Sequence, residues 1–318
     1  MNGAIATQVH SSRSAGPEAA PRERRSVRAA AAEFWLDLLF RTVAASPLLS
    51  KLMKPPAVAV AWRCSRAVRA AAAANARRIF GPDVAPARKA IYGRGAVSNF
   101  YDFVCDVGRA RRMTREQLVG QIESIEGIDC YAAARALGKG AIIATAHMGS
   151  FEAGAAALLE REKAMHVVFK RDATRFEQIR SALRRKLGVT EAPVDDGWSM
   201  WLQLRDALVR DEVVMLQADR VMTGQKGSRV PFLHGHVLLP TGPIKLAVAS
   251  GAPIVPIFAI RSESGRIRIH IEPHIVVEPS DLQPHPALLR LARTLEAYVR
   301  AYPEQWLLFH PAFCEDAS

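Results

Sequence analysis

Short apolar runs alternate with helical patterns through the second part of this 318-residue chain, beginning after Gly127. The apolar runs predict strands near 141–146, 165–169, 212–217, 253–260 and 266–273. The intervening patterns predict helices near 151–160, 174–187, 197–210, 241–250 and 284–302. Because strands that alternate with helices are typical of a sheet covered on both faces, we predict an α/β fold with a central, mostly parallel sheet. The last run alternates strictly between apolar and charged residues, which places it at or near an edge of the sheet.

The residues before this region predict a different organisation. Residues 1–30 are small, polar and basic and indicate a disordered arm, residues 31–120 indicate an N-terminal all-helical cap that associates with membranes, and residues 121–318 form the α/β domain. Within the cap, the apolar stretch at 34–49 is interrupted by charged residues and by Pro47, and it is shorter than the roughly 20 apolar residues of a spanning helix. It predicts either a helix at the membrane interface or an ordinary helix docked on the core.

Charge and cysteine content narrow the classes of partner. The net charge of +12 predicts an anionic partner, such as lipid headgroups or an acidic carrier protein. Zinc-finger and RNA-recognition patterns are missing from the sequence, which argues against nucleic acid. The four cysteines lack C-x-x-C spacing, so we expect no metal site, no disulfide framework and a reducing compartment. Two basic runs are the best docking patches for an acidic carrier or an anionic lipid: Arg109 to Arg115, and Arg184 to Lys186.

A corner between a strand and a helix carries the main catalytic candidates. The run at 141–146 ends at His147, Gly149 and Ser150 turn the chain, and a helix that contains Glu152 follows. The carboxyl end of a strand is where open α/β sheets bind ligands. At such a corner Glu152 can hold one imidazole nitrogen of His147 and leave the other free as a base. A structural histidine remains the alternative interpretation, since a similar spacing recurs by chance from His310 to Glu315.

Other residues near strand ends are candidates for substrate binding. A tetrahedral oxyanion needs hydrogen-bond donors, and the backbone amides at Gly149 and at the start of the following helix are suitable. Asp219 and Arg220 follow a strand end and either line the same crevice or form a surface ion pair.

Four blocks of sequence occur together in an order that is shared with a known family. They are the His147–Glu152 motif after its strand, the stretch from Gln217 to Arg220 with Val230 to Val237, the block from Pro240 to Phe258, and the segment from Tyr302 to His310. Over about residues 31–313 the chain therefore resembles the bacterial lipid A biosynthesis acyltransferases, the lauroyl and myristoyl transferases within the lysophospholipid and glycerol-phosphate acyltransferase group.

The resemblance implies an enzyme at the cytoplasmic face of the bacterial inner membrane, either peripheral or with an interfacial N-terminal helix. It would move a fatty acyl chain from an acyl carrier protein or coenzyme A to a hydroxyl of a lipid A-like lipid or glycolipid, without a further cofactor. The resemblance assigns the base to His147 and its orienting acid to Glu152. The basic residue after the family's next strand falls on Lys170 and Arg171, and Arg171 is the preferred phosphate or headgroup contact.

One block departs from the family pattern. Where lipid A enzymes usually have Asp-Gln-Asp, this chain has Asp219-Arg220-Val221, a form similar to relatives that acylate other lipids or glycolipids. Two alternative functions therefore stay open. One is an acyltransferase for another lysolipid, and the other is a catalytically silent peripheral protein that binds anionic membranes.

Overall fold

A seven-stranded sheet forms the centre of the computed structural model, which describes residues 38–43, 46–172, 174–222 and 225–314. Its strands are β1 (Ile122–Glu126), β2 (Ala141–Thr145), β3 (Met165–Phe169), β4 (Thr190–Pro193), β5 (Val213–Gln217), β8 (Ile254–Arg261) and β9 (Ile267–Ile271). The strand order is β1-β9-β8-β2-β5-β3-β4, and only the β8–β9 pair is antiparallel. A separate antiparallel hairpin consists of β6 (Gly227–Phe232) and β7 (Gly235–Pro240).

Besides a helical segment at residues 38–43, ten helices accompany these strands in the described residues. They are α1 (Pro47–Cys64), α2 (Arg66–Phe80), α3 (Pro86–Ala110), α4 (Arg115–Val119), α5 (Ile128–Arg135), α6 (Phe151–Leu158), α7 (Arg175–Lys186), α8 (Trp198–Val209), α9 (Gly242–Ser250) and α10 (Pro286–Ala301). Short 3₁₀ turns cover Val194–Asp196 and Pro303–Gln305. The predicted fold class, with a mostly parallel sheet and an N-terminal helical region, is confirmed.

The alternation of side chains along β2 shows why both faces of the sheet are buried. Ile142 and Ala144 belong to a core that also contains residues of α2, α8, α9 and α10. Ile143 points the other way and packs in a second core with residues of α5 and α6. Because neighbouring residues of a strand face opposite sides, a continuous apolar run is what a strand covered by helices on both faces requires.

The first helices are part of the packed structure. Ala76 and Ile79 of α2 are buried in the same core as β2. Phe40, in a helical segment at residues 38–43, is buried against Val107 and Phe151. This contact supports the docked helix, one of the two alternatives for the stretch at 34–49, for its described part. The predicted arm at residues 1–30 lies outside the described residues.

The lengths and compositions of the described helices bear on whether the chain crosses a membrane. No helix there is both long enough and apolar enough to cross a bilayer.

Candidate active site

A large cavity opens at the carboxyl edge of the parallel strands. Its volume is about 1600 Å³, above the 300–1,000 Å³ that is usual for small-molecule sites. The ends of β2, β3 and β5 contribute Thr145, Phe169 and Gln217 to its wall. The first turns of α6, α8 and α9 complete it, so the cavity lies where open α/β sheets bind their ligands.

His147 lies in the cavity wall with its ring fixed by Asp219. The Nδ1 atom of His147 is 2.8 Å from Oδ1 of Asp219. An ionised carboxylate can only accept a hydrogen bond, so Nδ1 carries the proton and donates it. The other ring nitrogen, Nε2, has no hydrogen-bond partner among the described residues and is the one available to a ligand.

The register of two strands explains this contact. β2 and β5 are parallel neighbours, and Thr145 is paired with Gln217. His147 and Asp219 each lie two residues beyond that pair, so both follow the same sheet edge side by side. Asp219 was predicted to bind substrate, but the structure buries its side chain and gives it to the imidazole instead.

Asp219 receives two further hydrogen bonds. The backbone amide of His147 donates to its Oδ2 over 2.9 Å, and the indole Nε1 of Trp306 donates to the same oxygen over 3.0 Å. Burial by itself would raise the pKa of Asp219, but the charge of His147 and these hydrogen bonds outweigh it and lower the pKa. Asp219 is therefore a stable anion beside the imidazole.

The segment from Gln305 to Leu307 holds the histidine corner in place. The amide of Leu307 donates to the carbonyl of His147 over 2.7 Å, and the amide of Gly149 donates to the carbonyl of Gln305 over 3.2 Å. The Gly149 amide was predicted to face an oxyanion, and this bond shows that it is already occupied. Gly149 has φ of +56°, and a Cβ there would lie 1.9 Å from the carbonyl oxygen of Ala259, so the corner requires glycine.

Glu152 does not contact His147 as predicted. Its Oε1 is 2.6 Å from Nε of Arg180, while Asp219 occupies the Nδ1 atom that Glu152 was expected to hold. The ring of Phe151 lies beside the imidazole, with centroids 6.1 Å apart. The prediction assumed that the partner came from the same corner, whereas the neighbouring strand supplies it.

Glu152 instead begins a chain of ion pairs in the cavity wall. Arg180 also contacts Glu177 over 2.8 Å, and Arg184 contacts Glu177 over 2.6 Å and Glu191 over 2.8 Å. The second carboxylate oxygen of Glu152, Oε2, is buried and has no hydrogen-bond partner in the described residues. Arg184, predicted as part of an exposed basic patch, is buried in this network and cannot serve as a docking residue.

The predicted basic substrate contacts all line the cavity, but they differ in whether other residues already bind their side chains. Arg171 forms an ion pair with Asp196, and its amide donates to Asp195 over 2.9 Å, so it is held by the wall. Lys170 is exposed and makes no ion pair with any described residue. Arg220 follows Asp219 directly, and its Nε is buried without a hydrogen-bond partner in the described part of the chain.

Three residues of the site were not identified from the sequence. Trp306 and Arg180 form contacts between segments that are far apart in the chain, and no local pattern marks such contacts. His310, whose spacing to Glu315 was attributed to chance, lies in the cavity wall. For Asp219 a signal existed, because residues that follow two adjacent parallel strands at equal distances meet at the sheet edge.

In the described ranges no three His, Cys, Asp or Glu residues are grouped so that they could hold a metal ion.

Comparisons with known proteins identify the family of the chain. Over residues 24–315 the chain matches the family described as bacterial lipid A biosynthesis acyltransferase. Relatives include a phosphatidylinositol mannoside acyltransferase of Mycobacterium tuberculosis, 28% identical over 217 residues that cover 67% of each chain. A protein of the same description from Mycolicibacterium smegmatis is 24% identical over 229 residues, or 71% of this chain and 73% of the relative. The family match spans most of the sequence, and the chain belongs to the bacterial lipid A biosynthesis acyltransferase family.

Proposed function

We propose that this protein transfers a fatty acyl chain from an acyl thioester to a hydroxyl group of a lipid or glycolipid, with His147 as the general base. The observation that carries the proposal is the contact of 2.8 Å between Nδ1 of His147 and buried Asp219 at the wall of the large cavity. It fixes the tautomer in which Nε2 is an unprotonated acceptor facing the ligand space. Asp219 takes the orienting role that the sequence had given to Glu152.

The reaction follows from this tautomer. Nε2 of His147 removes the proton of the acceptor hydroxyl while the oxygen attacks the thioester carbonyl. As the tetrahedral intermediate collapses, the C–S bond breaks and the imidazolium returns the proton to the leaving thiolate, so a free thiol and an ester result. Ionised Asp219 stabilises the imidazolium between these steps. None of the four cysteines lines the cavity, which argues against an acyl-enzyme intermediate on a cysteine, and the proposed transfer is direct.

The cavity wall supports a role for Glu152 that differs from base orientation. Arg180 holds one oxygen of Glu152, while the other is buried in the cavity wall and has no hydrogen-bond partner among the residues that the structure describes. In our proposal, Glu152 and Arg180 keep this wall charged and rigid next to the first turn of α6. The amides of Phe151 and Glu152 would then be the donors to the oxyanion. The neighbouring amides already donate to backbone carbonyls: Gly149 to Gln305, Ser150 to Ala259, and Ala153 and Gly154 to Ser150.

The shape and lining of the cavity support a large amphipathic pair of substrates. Aromatic side chains suited to an acyl chain line the cavity: Phe151, Phe169, Phe176 and Trp201. Lys170 and Arg220 lie near the strand ends and suit a phosphate or an acidic headgroup. We propose either acyl carrier protein or coenzyme A as the acyl donor, and no metal or other cofactor.

The relatives favour a glycolipid acceptor. Two of them are described as phosphatidylinositol mannoside acyltransferases, and this chain has Asp219-Arg220 where lipid A enzymes usually have Asp-Gln. We therefore propose a sugar hydroxyl of an anionic glycolipid as the attacking group, with a lipid A precursor as the second candidate. The reaction would take place at the cytoplasmic face of the bacterial inner membrane.

The direct test is a transfer assay with purified protein. It would be incubated with acyl carrier protein or coenzyme A thioesters and with both classes of acceptor, and mass spectrometry would detect the ester. We expect His147→Ala to lower the rate roughly 10²- to 10⁴-fold, the usual contribution of a general base.

A matched control is available in the same sheet. His166 on β3 also contacts a carboxylate, with Nε2 at 2.6 Å from Glu212, but it does not line the cavity. His166→Ala should therefore retain transfer. Full activity of His147→Ala, or equal losses in the two histidine variants, would reject the proposed mechanism.

A further inference from the structure

Helix α8 carries apolar side chains on two opposite sides. Met200, Leu204 and Ala207 are buried in the core. On the other side, Trp198, Leu202 and Val209 are exposed by 77%, 42% and 66%. Residues 198, 202 and 209 fall on one stripe of a helix because their spacing is close to whole turns. We call these three residues the outer stripe of α8.

The outer stripe is not explained by packing. A helix at the surface of a globular protein has one apolar face toward the core and a polar face toward water, and a helix that is apolar on both sides has a second apolar contact. The inner face of α8 already supplies the core contact. The outer stripe therefore lacks a partner within the described residues.

Two lysines share the cavity lining with part of the outer stripe. Trp198 and Leu202 line the cavity together with Lys226 and Lys245, both of which are exposed. Neither lysine forms an ion pair with any residue that the structure describes. Arg205 lies on the same side of α8, between Leu202 and Val209, but it forms an ion pair with Asp206 over 2.6 Å, so the two lysines are the cations that the proposal uses. Apolar and cationic side chains are thus combined on the side from which a ligand enters.

We propose that the outer stripe of α8, with Lys226 and Lys245, is the surface through which the protein binds an anionic lipid bilayer, so that the cavity mouth lies at the level of the headgroups. Tryptophan is favoured at that level because its ring has an apolar body and a polar N–H group, and lysines are attracted by anionic headgroups. The inference rests on the proposed function, since a lipid acceptor would pass from the bilayer directly into the cavity.

A bilayer fits this surface better than an acidic carrier protein does. A carrier would satisfy the lysines, but the stripe continues to Val209 at the end of α8, and Val209 does not line the cavity. Such a row of apolar side chains along a helix, flanked by cations, is typical of helices that lie in the membrane interface.

The test uses two matched double variants of the full chain. Leu202→Ser/Val209→Ser removes most of the stripe, whereas Leu137→Ser/Val276→Ser removes a leucine and a valine that are exposed by 44% and 56% elsewhere. Leu137 precedes β2, and Val276 follows the bridge between Ile275 and the first residue of β8, so both lie at the opposite edge of the sheet. All four positions are exposed, so both variants should fold, and their melting temperatures would verify this.

Binding is measured by co-sedimentation with vesicles of phosphatidylglycerol and phosphatidylcholine, without an acyl donor. We expect Leu202→Ser/Val209→Ser to weaken binding at least about tenfold, because two apolar side chains that are only partly exposed in the free protein would lose their burial in the bilayer, and the control to bind like the wild type. Lys226→Gln/Lys245→Gln should reduce the preference for these vesicles over pure phosphatidylcholine.

Trp198 provides an independent readout. The emission of the wild type minus that of Trp198→Phe isolates this residue, and the difference should shift to shorter wavelength on binding. Helix α1 also exposes Leu48 and Leu52, so some residual sedimentation of the variant is expected, whereas the emission reports α8 alone.

Several results would overturn the proposal. They are unchanged vesicle binding by Leu202→Ser/Val209→Ser, sedimentation of the wild type without a shift of Trp198 emission, a loss confined to the interaction with acyl carrier protein, or a dimer that this variant alone disrupts. If vesicles bind as expected and no thioester is ever consumed, the proposed function fails while the docking surface stands.

Discussion

Asp219 illustrates how a single buried carboxylate organises this site. It accepts hydrogen bonds from the ring and the amide of His147 and from the indole of Trp306. Its pKa is lowered in the folded protein despite the opposing effect of burial. An acid with a lowered pKa stabilises the fold above its unfolded pKa, about 3.9 for aspartate, and this stabilisation is lost as the pH falls through the folded value.

This linkage gives a prediction for Asp219→Asn. At neutral pH the variant should unfold more easily than the wild type, because it removes a stabilised anion from His147. The difference in free energy of unfolding should shrink as the pH falls from about 4 toward the lowered pKa of folded Asp219, where the wild-type carboxyl becomes protonated. Denaturant titrations at a series of pH values measure it. A difference that stays constant with pH would contradict the ionised state of Asp219.

Trp306 contributes through its N–H group as well as its size. Trp306→Phe leaves Oδ2 of Asp219 with the amide of His147 as its one remaining donor among the described residues. We expect a loss of about 1.5–3 kcal/mol in unfolding free energy, the usual contribution of a hydrogen bond to a charged group, and a changed pH profile of transfer. Trp62→Phe is the control, since the Trp62 indole has no hydrogen bond within the described residues. Equal effects of the two substitutions on the pH profile would argue against this role.

The corner between β2 and α6 depends on Gly149. Gly149→Ala places a Cβ 1.9 Å from the carbonyl oxygen of Ala259 at a positive φ, so the strand end must shift. We expect a loss above the roughly 1–3 kcal/mol of backbone strain alone, with transfer abolished as His147 moves. Gly138→Ala is the control, because its φ is also positive but nothing lies within 4 Å of the added Cβ. Thermal melts of both variants separate the clash with Ala259 from the strain of a positive φ. Similar decreases in melting temperature would contradict the proposed requirement for glycine at position 149.

Arg180 connects α7 to the cavity wall. Arg180→Ala leaves Glu152 and Glu177 without this cation, and the loss of one partner of a buried ion pair typically costs about 3–5 kcal/mol. Arg185→Ala on the same helix removes an exposed arginine with a longer contact of 3.6 Å to Glu191, and should cost at most about 1 kcal/mol. Chemical denaturation of the two variants provides the comparison. A small loss for Arg180→Ala would show that the network does not hold the wall.

Elements with strong local patterns could be predicted from the sequence, and those without could not. The five apolar runs became β2, β3, β5, β8 and β9 with small differences at their ends. The edge strands β1 and β4 were missed, because Ile122–Glu126 mixes charged with apolar residues and Thr190–Pro193 is short and ends in proline. Their strand conformation depends on pairing with β9 and β3, which no local window contains.

The same limit applies to the candidate site: a residue marked by a local pattern could be located, but its partners from other elements could not. The sequence located His147 because a polar residue directly after a buried strand is a local signal. It assigned the wrong partner because Glu152 is near in sequence, whereas Asp219 is near through the register of β2 and β5. The ion pairs of Arg171 and Arg180 join residues that are distant in sequence and close only in the folded structure, so no local pattern predicts them.

At the scale of the whole molecule, the sheet and its helices bring one reactive nitrogen to the wall of a large cavity. The excess of 12 positive charges and the outer stripe of α8 suit a protein that works at an anionic surface. Family membership gives the class of reaction, and the geometry of His147 and Asp219 gives our account of how it proceeds.

A double-mutant comparison of transfer rates tests whether His147 and Asp219 act together in acyl transfer. Single-turnover acyl transfer would be measured for the wild type, His147→Ala, Asp219→Asn and the double variant, under conditions where all four are folded. If Asp219 acts through His147, each single variant should be slow and the double variant should be no slower than His147→Ala. Multiplicative losses, or a fully active Asp219→Asn, would contradict the claim that these two residues work as one catalytic unit.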